Sequence, residues 1–295
     1  MGLFIQSRYK TTRILIEDKI AGITLDYSPE NQIYIGPGFT YKFIGNGLSF
    51  NLGLFNDDGD EPVNRVDIFV NLMLKKIVFD FTFRFYKNFT LKNPDDLNLP
   101  ADVSNYVRPD IRTMQLGIGG VYVLNHRKFS YRAAFTQTAI QKKSAGSFMF
   151  GAQVFLRGLL ADSSIFPSTL GFPEVTGNSS LYVGLTASYA YNFIIKRYYF
   201  LALNLASSVE FGKAVTILDQ GQTYSNHYPV LSIKPRLVAG INKPRWYLGI
   251  AANKDYFVQL VRPDDDRYTF LFRAGSFRIF YGHRFNWFSR RQIRD

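Results

Sequence analysis

The sequence predicts an all-β fold, a single closed antiparallel up-and-down transmembrane β-barrel, and three observations predict it. About thirteen stretches alternate apolar and polar side chains. The apolar set stays greasy from end to end of each stretch. The polar set is rich in Gly, Ser, Thr and Asn with isolated charges, which suits a crowded lumen better than a free surface. In 77–86, Ile77, Phe79, Phe81, Phe83 and Phe85 alternate with Val78, Asp80, Thr82, Arg84 and Tyr86. A period of two puts successive side chains on opposite faces of a strand, so this segment needs an apolar medium on one side and a polar one on the other. A soluble sandwich also alternates, with its apolar face as core. Strand length and the 28 Phe and 19 Tyr, many beside turns, favour lipid on the apolar side.

Taken in order, residues 1–19 form an N-terminal segment whose place is left open. They carry no apolar leader core and no small-residue cleavage site, so the chain reads as a mature form or one with a new start. Strands follow near 20–28, 32–43 and 47–55, with Gly45-Asn46-Gly47 as the clearest hairpin turn. Lys75-Lys76 joins 65–74 to 77–88, and the turn around His126-Arg127-Lys128 joins 110–124 to 128–140. After 147–160, Lys196-Arg197 joins 180–195 to 198–212, and Lys243-Pro244-Arg245 joins 229–242 to 245–261. The strand 267–285 ends the barrel, set at 20–288, and 289–295 is a tail. Long polar connections lie at 56–64, 90–108, 214–228 and 262–266. Outer-membrane barrels keep short turns on the periplasmic side and long loops outside, so the tight basic turns face the periplasm. An odd strand number conflicts with the even rule, and the parity of the tight turns changes between Phe129 and Ser180. The expectation is therefore 12 to 14 strands: twelve if 141–147 is no reversal, fourteen if 163–170 hides a short strand. Fourteen is preferred, since merging makes one strand of roughly 110 Å.

The 295 residues show no linker, and one domain follows. Mean hydropathy is −0.08, and no run approaches the length of a membrane helix, so only a closed barrel satisfies this backbone in lipid. There are no cysteines, hence no disulfide or thiolate chemistry. The net charge of +12 resides largely in the tight turns and in the tail, with Arg284, Arg290, Arg291 and Arg294. Cations beside aromatics fit a membrane rim, so the expected partners are membrane lipids and lipopolysaccharide and other outer-membrane proteins, not nucleic acid.

Certain segments also carry a family likeness. Arg108-Pro-Asp-Ile-Arg112, Tyr122-Val-Leu-Asn125, Lys128-Phe-Ser-Tyr-Arg-Ala-Ala-Phe135, Gln141-Lys-Lys-Ser-Ala-Gly-Ser147 and Asp162-Ser-Ser164, with 34–50 and Tyr189-Ala-Tyr-Asn-Phe193, resemble the Bacteroidota family called domain of unknown function 4421. The resemblance covers most of the chain. It implies an outer-membrane barrel and brings no catalytic residues. Barrels of this kind often finish on an aromatic, whereas Phe285, Trp287 and Phe288 are followed by 289–295; either Phe285 or Phe288 is the candidate terminal signal.

Register assigns eleven charges to the lumen: Asp67, Asp80, Arg84, Arg112, Arg132, Arg157, Glu210, Lys234, Arg236, Asp255 and Arg273. A midplane arginine facing lipid costs about 2–4 kcal/mol, so these turn inward and pair. With seven positive and four negative members, the network either fills the interior or lines a narrow anion-favouring pore. Filling is preferred, because Tyr34, Tyr86 and Phe155 crowd the same space. A lipid hydrolase or acyltransferase needs a serine activated by an oriented histidine. His126 in a basic turn, His283 at a strand end and His227 in a loop beside Ser225 each read more simply as surface or packing groups. The acidic clusters Asp57, Asp58, Asp60, Glu61 and Asp264 to Asp266 lack a metal-loop spacing, and no metal or cofactor is expected. The resulting expectation is an outer-membrane barrel with a filled lumen, not an enzyme, serving as a structural or accessory component of the envelope. A narrow channel for small anionic or amphipathic solutes is the alternative, and a lipid-modifying barrel enzyme the second alternative.

Overall fold

The structure, a computed structural model, describes residues 2–29, 33–41, 44–47, 65–97, 106–166, 174–218, 221–259 and 268–285. Its strands are β1 (Gly2–Asp18), β2 (Ile23–Ser28), β3 (Ile33–Tyr41), β4 (Ile44–Gly47), β5 (Arg65–Met73), β6 (Ile77–Leu91) and β7 (Val107–Val123). They continue as β8 (Ala145–Leu160), β9 (Val175–Ile195), β10 (Tyr199–Leu218), β11 (Thr223–His227), β12 (Val230–Asn242), β13 (Trp246–Gln259) and β14 (Tyr268–Arg284). A short helix, α1 (Tyr131–Phe135), lies between β7 and β8.

Antiparallel pairing closes the sheet on itself, with β1 bonded to β14 from Gly2↔Arg284 to Asp18↔Tyr268. At the end of the long connections, ten strands complete the ring: β1, β2, β6, β7, β8, β9, β10, β12, β13 and β14. There β2 pairs with the last residues of β1 and, through Tyr27↔Leu91, with β6. Toward the tight-turn end the gap between β1 and β6 is spanned instead by β3, β4 and β5. The wall is therefore wider at the tight turns. The count of 12 to 14, with fourteen preferred, is corrected on this point. Three strands stand outside the ten-strand ring, and β11 is a short hairpin arm on β10.

Two further expectations change, and the place left open for residues 1–19 is filled: 2–18 forms the full-length strand that seals the barrel. Gly45-Asn46-Gly47 lies in β4, paired with β3, and is not the turn. Residues 128–140 are not a strand: they carry α1, which removes the parity conflict, and of the segment 163–170 residues 167–170 lie outside the described residues. The connections 56–64 and 262–266, the acidic clusters, Phe288 and the tail lie outside the described residues.

The side-chain faces are those of a lipid-embedded wall. Leu185 is 75% exposed, Phe211 62% and Leu205 57%, and Ile5, Ile118, Phe148, Phe150, Val183 and Ile279 are also exposed. The inward neighbours Val78, Ala190, Ala202 and Val238 are fully buried. A face this apolar is stable only where hydrocarbon covers it. Tyr41, Tyr122, Tyr189, Tyr199 and Tyr281 ring the tight-turn end, and Lys243 Nζ sits 5.0 Å from the Trp246 ring, pairing a cation with an interfacial aromatic.

The β9–β10 turn has Lys196 at φ 46° and Arg197 at φ 70°, both left-handed, as a two-residue primed turn demands. Neither residue favours that region. Replacing them by Asn-Gly is expected to stabilise the barrel by about 1 kcal/mol, read as a higher temperature for the heat-induced mobility shift on a gel.

Candidate functional site

The interior divides into three zones. At the tight-turn end, α1 and its flanks fold into the lumen and pack against the wall on all sides. Phe129, Ala134 and Phe135 form one buried cluster with Met73, Val78, Val123, Met149, Phe200, Val238, Tyr247 and Phe280. The sequence builds this plug locally. Ser130 caps α1, its Oγ accepting from Ala133 N at 3.2 Å, while Gln141 Oε1 accepts from Ser130 N at 2.8 Å. Asn125 N donates to Ser147 Oγ at 2.9 Å and Asn125 Nδ2 to the Gly146 carbonyl at 2.8 Å. The wall holds the plug as well: Asn242 Nδ2 donates to the Ala139 carbonyl at 3.0 Å, and Arg284 donates to the carbonyls of Gln137 and Lys243. Gly282 lets the Tyr247 ring lie flat against β14, where an added Cβ would meet ring atoms at 2.2 Å.

At the opposite end the interior is apolar again. Ile14, Ile16, Leu25, Tyr27, Phe89, Leu91, Ile111, Leu159, Ile165 and Phe166 form a second cluster. The segment 161–166 is latched over it by Arg108. Its guanidinium grips Asp110 through two bonds, 2.8 and 2.7 Å, and donates to the carbonyls of Ser163 and Ser164 at 3.2 and 2.7 Å. Tyr27 OH donates to the Ile165 carbonyl at 2.8 Å.

Between the two clusters lies a cavity of about 300 Å³. Six cations, Arg8, Lys10, Arg84, Lys234, Arg236 and Arg278, line it with three carboxylates, Asp67, Asp80 and Asp255. Asp67 is the hub of one network: Lys10 Nζ reaches it at 2.5 Å, Tyr86 OH donates at 2.8 Å, and Arg84 lies 3.9 Å away. Asn71 donates to Asp80. In a second network Gln153 Nε2 donates to Glu210 at 2.6 Å, and Lys234 Nζ to Gln153 Oε1 at 2.9 Å. Arg157, 5% exposed, stacks 4.0 Å from the Phe257 ring centre. Arg236 reaches the plug, donating to Tyr131 OH at 3.2 Å.

Of the eleven expected lumen charges, eight are where register put them: Asp67, Asp80, Arg84, Arg157, Glu210, Lys234, Arg236 and Asp255. The other three are corrected. Arg112 lies outside, half exposed and 2.9 Å from Asp162. Arg273 stands on the outer face of β14 opposite Arg13, beyond the apolar band. Arg132 belongs to the plug helix, its Nε 3.3 Å from Thr138 Oγ1. Sequence reasoning missed Arg8, Lys10 and Arg278. The alternation of Gln6, Arg8, Lys10 and Thr12 with Ile5, Ser7, Tyr9 and Thr11 was a usable signal in 1–19. Among the described residues, no hydrogen bond joins His126, His227 or His283 to a serine or carboxylate, and no group of three metal-ligating side chains occurs.

These features define an outer-membrane-type β-barrel with an internally plugged lumen. The chain belongs to the family described as Domain of unknown function (DUF4421), whose model matches residues 1–285. No curated protein matches the sequence. Similar solved structures include the outer membrane protease OmpT from Escherichia coli, 10% identical, covering 95% of this chain and 94% of that one, TM-score 0.46. The translocator domain of autotransporter NalP from Neisseria meningitidis is 8% identical, covering 97% and 89%, TM-score 0.35. The Pseudomonas putida toluene transporter TodX is 10% identical, covering 96% and 89%, TM-score 0.29. The expectation that the chain is not an enzyme is corrected: a fold of this class does not by itself exclude catalysis.

Removing Lys10 or Arg84 leaves Asp67 under-neutralised in the interior. Lys10→Ala is expected to cost about 3 kcal/mol of stability, whereas Arg13→Ala, breaking the exposed pair with Asp26, costs under about 1 kcal/mol. Denaturant titration in detergent checks the contrast. Arg108→Ala is expected to free 161–166, seen as faster proteinase cleavage there while the heat-modifiable band persists.

Proposed function

We propose that this protein is a bacterial outer-membrane barrel that holds its lumen shut at rest, a component of the envelope and not an open diffusion pore. The plug carries the reading. Its apolar cluster draws on β5 to β10 and on β12, β13 and β14, so it fills the wide end of the barrel from wall to wall. The apolar cluster at the other end supports the same view. The exposed Leu, Ile and Phe band, the aromatic tyrosines at the tight turns and the basic turns beside them fit a lipid bilayer with anionic head groups, lipopolysaccharide included. A Bacteroidota source and association with other envelope proteins belong to this same proposal and come from the family resemblance. The cationic surplus of the cavity favours one second reading, a gated route for small anionic solutes.

Planar-bilayer recording tests the proposal. The intact protein is expected to give no stable conductance. Phe135→Ser combined with Asn242→Ala, which removes a fully buried plug side chain and one wall anchor, is expected to give discrete open steps. Stable steps from the unaltered protein would overturn it.

A further inference from the structure

We propose that Arg8, Arg236 and Arg278 form a binding site for a small oxyanion of the phosphate type, seated in the central cavity just above the plug. Arg8 and Arg278 are directly opposed across the β1–β14 pair and both point inward. Like charges placed so are destabilising unless something neutralises them. Arg236 approaches from β12, and Arg278 is close enough to both Arg8 and Arg236 to be repelled by each. None of the three is in an ion pair among the described residues. The hydrogen bonds and close pairs of the nearby acids go elsewhere, Asp67 to Lys10, Tyr86 and Arg84 and Asp80 to Asn71, so Asp67 attracts Arg8 and Asp80 attracts Arg236 only through space, while Asp255 acts on Arg84, Arg157 and Lys234.

Neutral groups hold the three guanidiniums in place without discharging them. Gln6 Oε1 accepts from Arg8 at 3.2 Å and from Arg278 at 3.4 Å, and the Tyr131 hydroxyl accepts from Arg236 at 3.2 Å. The Phe135 ring lies 4.8 Å from the Arg236 guanidinium carbon and the Phe280 ring 4.5 Å from that of Arg278. This leaves planar donor forks unspent, and the buried Nε of Arg8 has no hydrogen-bond partner. Guanidinium forks match a tetrahedral oxyanion two oxygens at a time, and a buried cationic cluster gains most from a bound dianion. The cavity, about 300 Å³, has room for on the order of ten waters, hence for phosphate or a small phosphomonoester and not for a lipid.

Calorimetric titration of the purified barrel in detergent with inorganic phosphate tests the site, with chloride at matched ionic strength as reference. Saturable binding of one phosphate per barrel is expected, together with a higher temperature for the mobility shift. Arg278→Gln is expected to weaken binding by about tenfold or more, through loss of charge-assisted hydrogen bonds. Arg278→Lys, which keeps the charge and loses the fork, falls between, and Arg112→Gln on the exterior leaves binding unchanged. If Arg278→Gln does not fold, Arg236→Gln is read in its place. No saturable binding beyond chloride, or equal weakening by Arg112→Gln, would overturn the site. The occluded-barrel reading is judged separately, by conductance, and survives either result.

Discussion

A sheet immersed in hydrocarbon has no solvent to receive its backbone N–H and C=O groups, so it must close on itself. Everything else in this molecule follows from that closure. Once β1 bonds β14 along its whole length, the two side-chain faces become an outside and an inside. The outside keeps Leu185, Leu205 and Phe211 in lipid, and the inside has to accommodate whatever the alternate positions carry. Arg8, Arg84, Arg236 and Arg278 are inward for that reason, since the same charges facing the bilayer midplane would each cost about 2–4 kcal/mol.

The interior answers the burden in layers. Apolar clusters flank the centre at both ends, and the plug builds one of them with residues that share no strand with the wall. Charges are confined to the middle, where some are compensated by side chains from distant strands: Lys10 and Asp67 are separated by 57 positions, Lys234 and Gln153 by 81. Such pairs fix which strands face each other across the lumen. The residues that carry the family likeness take mechanical meaning from this arrangement. Ser130, Gln141 and Ser147 scaffold the plug, and Arg108 with Asp110 and Ser163 latches the opposite end.

The outward and inward faces of β6, β9 and β10 were legible from period-two alternation alone, because every residue of those runs is constrained by lipid on one side. The plug was not. Phe129, Tyr131, Ala133 and Phe135 alternate with Ser130, Arg132, Ala134 and Thr136 as a strand would, and a five-residue helix buried all round leaves no amphipathic stripe to read. Arg112 and Arg273 misled for another reason. Strands that outrun the roughly ten residues needed to cross the bilayer emerge into water, where the outer face tolerates charge. Arg112 itself keeps the parity of the outward Met114, Ile118 and Tyr122 in unbroken pairing with β6.

The plug is a loop between neighbouring strands, fixed to β7 through Val123 and to β8 through Ala145. A stopper carried on a chain terminus can be pulled out and lost. This one is fastened on both sides and can only swing or unravel in place. Any unsealing of the barrel is therefore a unimolecular event whose equilibrium is independent of protein concentration, and reclosure needs nothing brought back from outside.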